Sequence, residues 1–287
     1  MKLYPVIHEY FKLDGGAMFG VVPKTIWQRT NPADEDNLIR MATRSLLIDT
    51  GDRLILIDTG LGNKQPEKFF GYYKPQRINQ LDETLEKLGY TKDDITDVIM
   101  THLHFDHCGG SVEKDQSGNL KPAFPHARYW TNEPHWNWAM NPNRREKASF
   151  LKENFVPLEE SGVLQFIPVP DRGNQLGSTD LQMDFIFVNG HTEQQMLPVI
   201  RYGDKTIVFM ADLLPTVGHI PLAYIMGYDV RPLETLKEKD AFLNEAADKG
   251  YYLFLEHDPD IEICTLKHTE KGVRLDQTFT LNEILNQ

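Results

Sequence analysis

The sequence predicts a mixed α/β fold in which helices cover a β-sheet. Three observations predict it. Apolar, β-branched runs such as Ile95–Met100 and Tyr251–Leu255 alternate with stretches at helical spacing, such as Leu81, Leu85 and Leu88. Histidines and a carboxylate are concentrated directly after one of those apolar runs. The hydrophobic fraction of 40% and charged fraction of 25% are ordinary for a soluble globular protein, and 287 residues are enough to bury a sizeable core. One domain spanning residues 1–287 is expected.

The concentrated stretch is Thr101-His-Leu-His-Phe-Asp-His-Cys-Gly-Gly110, with His102, His104, Asp106 and His107 inside six residues. Neutral imidazole and carboxylate are ligands for zinc and similar divalent ions. His102 and His104 flank Leu103, so both can point one way while Leu103 points into the core. Asp106 and His107 can then serve a second direction and a second ion. Gly109-Gly110 permits close backbone approach. Cys108 reads as a small buried thiol, and two cysteines in the chain make no disulfide framework.

The spacing His-x-His-x-Asp-His resembles the signature of the metallo-β-lactamase-fold hydrolases. The resemblance implies an αββα sandwich of two mixed β-sheets flanked by helices. It implies two divalent metal ions, zinc first, with three further ligands later in the chain.

Taken in order, Leu3 to Leu13 alternates as a strand, and Asp14 to Pro23 reads as an apolar loop that packs below the sheet or lines a pocket, Phe19 included. Irregular structure continues through Trp27. Ala42–Asp49 and Arg53–Asp58 form a hairpin around Thr50-Gly51-Asp52. Asp58-Thr-Gly follows. The resemblance implies that Asp58 accepts the free ring N–H of a ligating histidine; a plain strand-ending turn is the other reading. Gln80–Leu88 is a helix closed by Gly89, and strand 95–100 leads into the histidine loop.

Prolines interrupt residues 111–162, where Trp130, His135, Trp136 and Trp138 crowd together. That cluster suits a cleft wall, a homodimer seal or core. His135 is not expected to be a ligand. Strands Val163–Val169 and Leu181–Val188 follow, the second ending at Asn189-Gly-His-Thr192. The resemblance assigns His191 to the first ion with His102 and His104. The family often continues Gly-His-Thr-Pro-Gly-His, whereas this chain continues with Glu193-Gln194-Gln195. A hairpin of Leu197–Tyr202 and Lys205–Met210 ends at Asp212, which resembles the carboxylate bridging both ions. Leu213–Arg231 leaves from Asp212, rich in bulky residues. Lactonases of the fold often carry a Tyr three residues beyond the bridging Asp; here Pro215 stands there, and His219, Tyr224 or Tyr228 could substitute. Arg231–Lys249 reads as a helix, Tyr251–Leu255 as a strand ending at His257, and Ile261–Leu266 with Val273–Phe279 as a closing pair. The resemblance gives His257 to the second ion with Asp106 and His107.

A hydroxide bridging two ions would attack a carbonyl or phosphoryl centre, with Asp106 or Asp212 passing the proton to the leaving group. His104, where the diiron branch has Glu, favours hydrolysis. Asp212 separates the chain from true β-lactamases. Only 30 residues (287 − 257) follow His257, too few for the substrate domain of glyoxalase II. The net charge of −12 argues against nucleic acid as partner. The N-terminus lacks an apolar leader and no run suits a membrane span, so a cytoplasmic protein acting on a small molecule is expected. What remains resembles the branch of quorum-quenching N-acyl-homoserine lactonases and methyl parathion hydrolase. Lactone hydrolysis leads, phosphotriester hydrolysis is the alternative, and a non-catalytic metal-binding protein is the reading of another class.

Overall fold

Strands that are buried on both faces and run parallel place their following loops at one edge of a sheet, and two such pairs set out the functional residues here. The computed structural model describes residues 1–76, 81–170, 180–181 and 183–286, which fall into two compact units. The first unit comprises Met1–Phe11 with Thr43–Val169, and the second Lys12–Ala42 with Pro170–Gln287.

The first unit holds strands β1 (Lys2–Asp14) and β2 (Leu38–Asp49), each of which runs on into residues of the second unit, then β3 (Leu54–Ile57), β4 (Asp97–Ile99), β5 (Val112–Lys114), β6 (Leu120–Pro122), β7 (Arg128–Thr131) and β8 (Leu164–Phe166). The sheet order is β1-β2-β3-β4-β7-β8, and β5 pairs β6 as a separate ribbon. β3 is antiparallel to β2, while β3, β4, β7 and β8 run parallel. All four residues of β3 and all three of β4 are buried. Parallel neighbours need crossovers. Those crossovers carry the helices Glu67–Tyr73 and Leu81–Leu88 after β3, and the histidine loop after β4. Asp58 and Thr101–His107 therefore emerge at the same edge.

The second unit holds β9 (Asp184–Val188), β10 (Gln195–Tyr202), β11 (Lys205–Phe209), β12 (Tyr252–Phe254), β13 (Ile263–Thr269) and β14 (Gly272–Phe279) in the order β14-β13-β12-β11-β10-β9. β11 and β12 are parallel, joined through helix Pro232–Lys249. β9 and β11 both lie antiparallel to β10, so they run in one direction. The carboxyl ends of β9, β11 and β12 thus share an edge, and they lead to His191, Asp212 and His257.

The chain is an α/β protein with two mixed sheets and helices, as expected. Several elements differ from expectation. The apolar stretch after Asp14 is not a loop but a short helix, Gly15–Phe19, whose N-terminus is capped by the Asp14 carboxylate accepting from Ala17 N at 2.7 Å. Trp27 ends a second short helix, Lys24–Trp27. The residues from Phe105 to Cys108 form a helical turn, not an extended loop. Gln80 and Gln182 lie outside the described residues. The crowded tryptophans are committed internally. Trp136 packs on Phe155 with ring centres 5.5 Å apart, and the indole N–H groups of Trp130 and Trp138 donate to Asp97 and Glu146 at 2.9 and 2.8 Å. Among the described residues no helix is long and apolar enough to cross a membrane.

Candidate metal centre

In the first unit the histidine loop begins extended and then turns helical at His104, whose carbonyl accepts from His107 N and Cys108 N, both at 3.1 Å. The turn swings His107 back beneath His102, their ring centres 3.9 Å apart. Leu103 is fully buried in the core, so the neighbouring histidines project to the other side. His102 Nε2 and His104 Nδ1 lie 3.1 Å apart.

Asp58 stands at the end of β3 with φ +58°, a conformation that costs free energy in a non-glycine residue and recurs at functional sites. Its carboxylate accepts from Thr101 N at 2.7 Å and Thr101 Oγ1 at 2.6 Å, and faces His107 Nδ1 at 3.1 Å. These contacts fix tautomers. The Thr101 hydroxyl proton goes to Asp58, so His102 Nδ1, 3.2 Å from Thr101 Oγ1, must be the donor there. His107 Nδ1 donates to Asp58. The lone pairs of both rings are then at Nε2. His104 is turned the other way: its Nε2 lies 3.6 Å from the buried Glu146 Oε1, leaving Nδ1 on the side of His102.

In the second unit Asp212 follows Ala211, which has φ +40°. The two Asp212 oxygens face His191 Nε2 and His257 Nε2, each at 3.1 Å. The far nitrogens are met by oxygen. His191 Nδ1 lies 2.9 Å from Asp229 Oδ1, and His257 Nδ1 donates to the Ala42 carbonyl at 2.7 Å. Burial drives the His191 imidazolium pKa down, but Asp212 and Asp229 outweigh it and raise the ring to about 10. Two carboxylates around one imidazole call for a cation.

Four of the rings, His102 and His107 in the first unit and His191 and His257 in the second, therefore have Nδ1 engaged by an oxygen and Nε2 left for another partner. That is how metal-binding histidines are oriented. In the first unit the donor atoms of His102 and His104 lie within 4.8 Å of one another, and so do those of Asp106 and His107; in the second unit the same holds for His191 and Asp212. Imidazole nitrogens and carboxylate oxygens in this ratio fit a divalent ion such as zinc.

The structure gives some expected pocket residues other roles. Phe19 is fully buried, stacked between Trp27 at 5.3 Å and His219 at 4.3 Å. His219 Nε2 donates to the Met18 carbonyl at 3.0 Å and Nδ1 accepts from Thr216 Oγ1 at 2.8 Å. Both ring nitrogens are thus engaged, and burial, aided by Lys239, lowers the His219 pKa to about 3. It is a neutral ring with neither nitrogen free. Tyr224 and His219 both line a small recess with Asp212, whereas Tyr228 and Phe19 do not. His135 is no ligand but a support: its Nε2 accepts from Leu103 N at 2.8 Å. Sequence reasoning missed Glu146, Asp229 and the Ala42 carbonyl, because nothing in their local sequence marks them.

Buried His/Asp donor sets at the carboxyl ends of strands define a metal-binding α/β protein. The family follows from comparison. The chain belongs to the metallo-β-lactamase superfamily, whose family model matches residues 39–257, well over half of the chain. It is similar to a probable metallo-hydrolase of Mycobacterium bovis, 22% identical over 254 residues that cover 78% of this chain and 76% of that protein. Among solved structures, a probable metal-dependent hydrolase from Staphylococcus aureus matches with a TM-score of 0.85 and 27% identity, covering 97% of this chain and 96% of that one. AidC, a dizinc quorum-quenching lactonase solved with the product N-hexanoyl-L-homoserine, matches with a TM-score of 0.79 and 22% identity over 97% and 95% of the two chains. The last likeness is one of fold. Membership and these relatives support a metal-dependent hydrolase, and a lactonase among the neighbours agrees with the branch that the motifs resemble.

Proposed function

We propose that this protein is a dinuclear-metal hydrolase that opens lactones, N-acyl-homoserine lactones first. The observation that carries the metal-dependent reading is the orientation of the donors, with four rings each fixed through Nδ1 and the His104 ring turned so that its Nε2 faces Glu146. Following the family's ligand order, His102, His104 and His191 are assigned to one ion, Asp106, His107 and His257 to the other, and Asp212 to both. Divalent ions held there would lower the pKa of a bound water to near 7 and polarise a carbonyl oxygen.

The chain's own residues do the rest. Asp58, Glu146 and Asp229 hold ring orientation before substrate arrives, so no reorganisation is needed during reaction. As water's oxygen bonds to the carbonyl carbon, the ring C–O bond breaks, and the proton lost by water travels on the Asp106 or Asp212 carboxylate to the alkoxide, giving a hydroxy acid. We infer that an apolar substituent would pack on an aromatic group near Asp106. The half-buried rings of Phe69 and Tyr73, on helix Glu67–Tyr73, pack 5.2 and 4.7 Å from Phe105, the residue next to Asp106. That aromatic group favours a lactone with an acyl chain. Tyr224, which shares a small recess with Asp212, is assigned to the polar end.

The test is initial rates of zinc-loaded protein on short- and long-chain homoserine lactones, a simple γ-lactone and a methyl phosphotriester, with His104→Ala beside it. Homoserine-lactone turnover that rises with chain length and falls at least a hundredfold in the variant is expected. Faster phosphotriester cleavage than lactone cleavage would overturn the substrate assignment, and no turnover of any ester would overturn the enzyme.

A further inference from the structure

The family's Gly-His-Thr-Pro-Gly-His continuation is replaced here by Glu193-Gln194-Gln195 after Thr192. A proline would stiffen that loop through the backbone. In its absence something else must hold His191 in place, and the opening turns of helix Pro232–Lys249 do so. Asn189 N donates to Glu238 Oε1 at 2.7 Å and Gly190 N donates to Glu238 Oε2 at 2.9 Å. One carboxylate thus accepts from the two consecutive amides that precede His191. Arg231 takes the other side: Nη1 donates to the Asn189 carbonyl at 2.7 Å and Nη2 to Glu193 Oε2 at 2.6 Å. The main chain joins in, with Arg231 N donating to the Gly190 carbonyl at 2.9 Å and Val230 N to the His191 carbonyl at 3.2 Å. Gly190 sits so close to Thr235 that a Cβ would fall 2.2 Å from its Oγ1. Thr235 and Glu238, three residues apart, share one helix face, and Arg231 stands at the N-cap.

We propose that Glu238 is a positioning residue for His191. Its carboxylate chelates the two amides before the histidine, and the Arg231–Glu193 pair clamps the residue that departs from the family pattern. The requirement for a carboxylate is chemical. Two N–H donors point at two acceptor oxygens, and an amide of the same shape would turn one acceptor into a donor facing an N–H. The inference rests on the reading of His191 as a metal ligand.

The experiment compares Glu238→Gln with Lys237→Gln, whose exposed side chain lies on the same helix, and with His191→Ala. Zinc affinity is measured by competition with a chromophoric chelator, the visible bands of the cobalt(II)-loaded protein are recorded, and amide exchange is followed at residues 189–191. Glu238→Gln is expected to weaken zinc binding about tenfold or more, to shift the cobalt bands and to speed exchange at 189–191. Lys237→Gln is expected to leave all three unchanged. Wild-type affinity and bands in Glu238→Gln, with His191→Ala weakened, would overturn the positioning role alone. Wild-type affinity in His191→Ala would overturn the ligand reading beneath it. Should Glu238→Gln fail to fold, Glu193→Gln weakens the Arg231 pair and leaves the Glu238 carboxylate in place. A several-fold loss of affinity there supports the cradle, and no loss overturns it.

Discussion

Glu9 is a buried acid in the first unit, and its ionisation carries a measurable cost. Its Oε1 accepts from Leu61 N at 2.7 Å and Thr43 Oγ1 at 2.9 Å. Burial raises its pKa, these two donors pull it down, the Asp106 charge raises it again, and it comes to rest at about 7. The unfolded chain releases the proton near 4.5, the folded chain near 7. Between those values the folded state binds more protons, so stability falls as pH rises through that window. Glu9→Gln keeps an acceptor for Leu61 and removes the charge. Its stability relative to wild type is expected to increase from pH 5 to pH 8, read from urea midpoints at both values; a difference that stays flat would refute the buried-charge account. At this scale the candidate donors of the histidine loop were legible in the sequence, because three histidines and an aspartate crowded within six residues match the donor chemistry of a metal site and little else, whereas His191, Asp212 and His257 were reached only through the family resemblance. Their orienting partners were not. Glu146 lies 42 residues after His104 and Asp229 lies 38 after His191, joined only by the fold. His219 misled for a related reason: a histidine on a segment beside the centre looks available until its two nitrogens are seen to be engaged.

The loops after β3 and β4 are zipped together by backbone contact. Thr59 N donates to the His107 carbonyl at 2.7 Å, Gly110 N to the Gly60 carbonyl at 3.2 Å, and Lys64 Nζ to the Gly109 carbonyl. Gly109 is where they come nearest, and a Cβ there would lie 2.2 Å from the Leu61 carbonyl oxygen. Its own backbone is right-handed helical, φ −60° and ψ −36°, so alanine by itself would stabilise by about 0.4–1 kcal/mol through the unfolded chain. Two backbones cannot yield as a flexible side chain can, so overpacking of about 1–3 kcal/mol prevails. Gly109→Ala is expected to lower the denaturation midpoint and weaken zinc binding. Gly118→Ala has open space around its Cβ but φ +85°, so it separates conformational strain from steric contact. A stabilised Gly109→Ala would refute the close approach. Element by element, the sequence disclosed long periodic pieces such as helix Pro232–Lys249. Helix Glu67–Tyr73 stayed hidden because it has no side-chain cap, no buried residue and a left-handed Lys74, not a glycine, at its end. Helix Gly15–Phe19 stayed hidden behind its paired glycines, although Asp14 was a capping signal in plain view.

For the molecule as a whole, the proposed centre draws donors from both units. Metal binding is then coupled to the folding of each, since donors contributed by separate segments gain their ligand only when those segments are ordered. A ligand that binds only the folded state stabilises it by about 2.7 kcal/mol at one hundred times its Kd. For a chain of this size that corresponds to a melting shift of about 4–5 °C. Removing metal with a chelator is therefore expected to lower the melting midpoint by about that amount, and zinc is expected to restore it. Location is the sharper measurement. With chelator, amide exchange is expected to quicken around His102–His107 and also around His191, Asp212 and His257. The reason is electrostatic as well as entropic: without a metal ion, the charge facing Asp212 must be supplied by protons on the rings, as the raised pKa of His191 reflects. Faster exchange in only one unit would mean that the ions belong to that unit, and the shared dinuclear assignment would fall even if the protein still bound zinc.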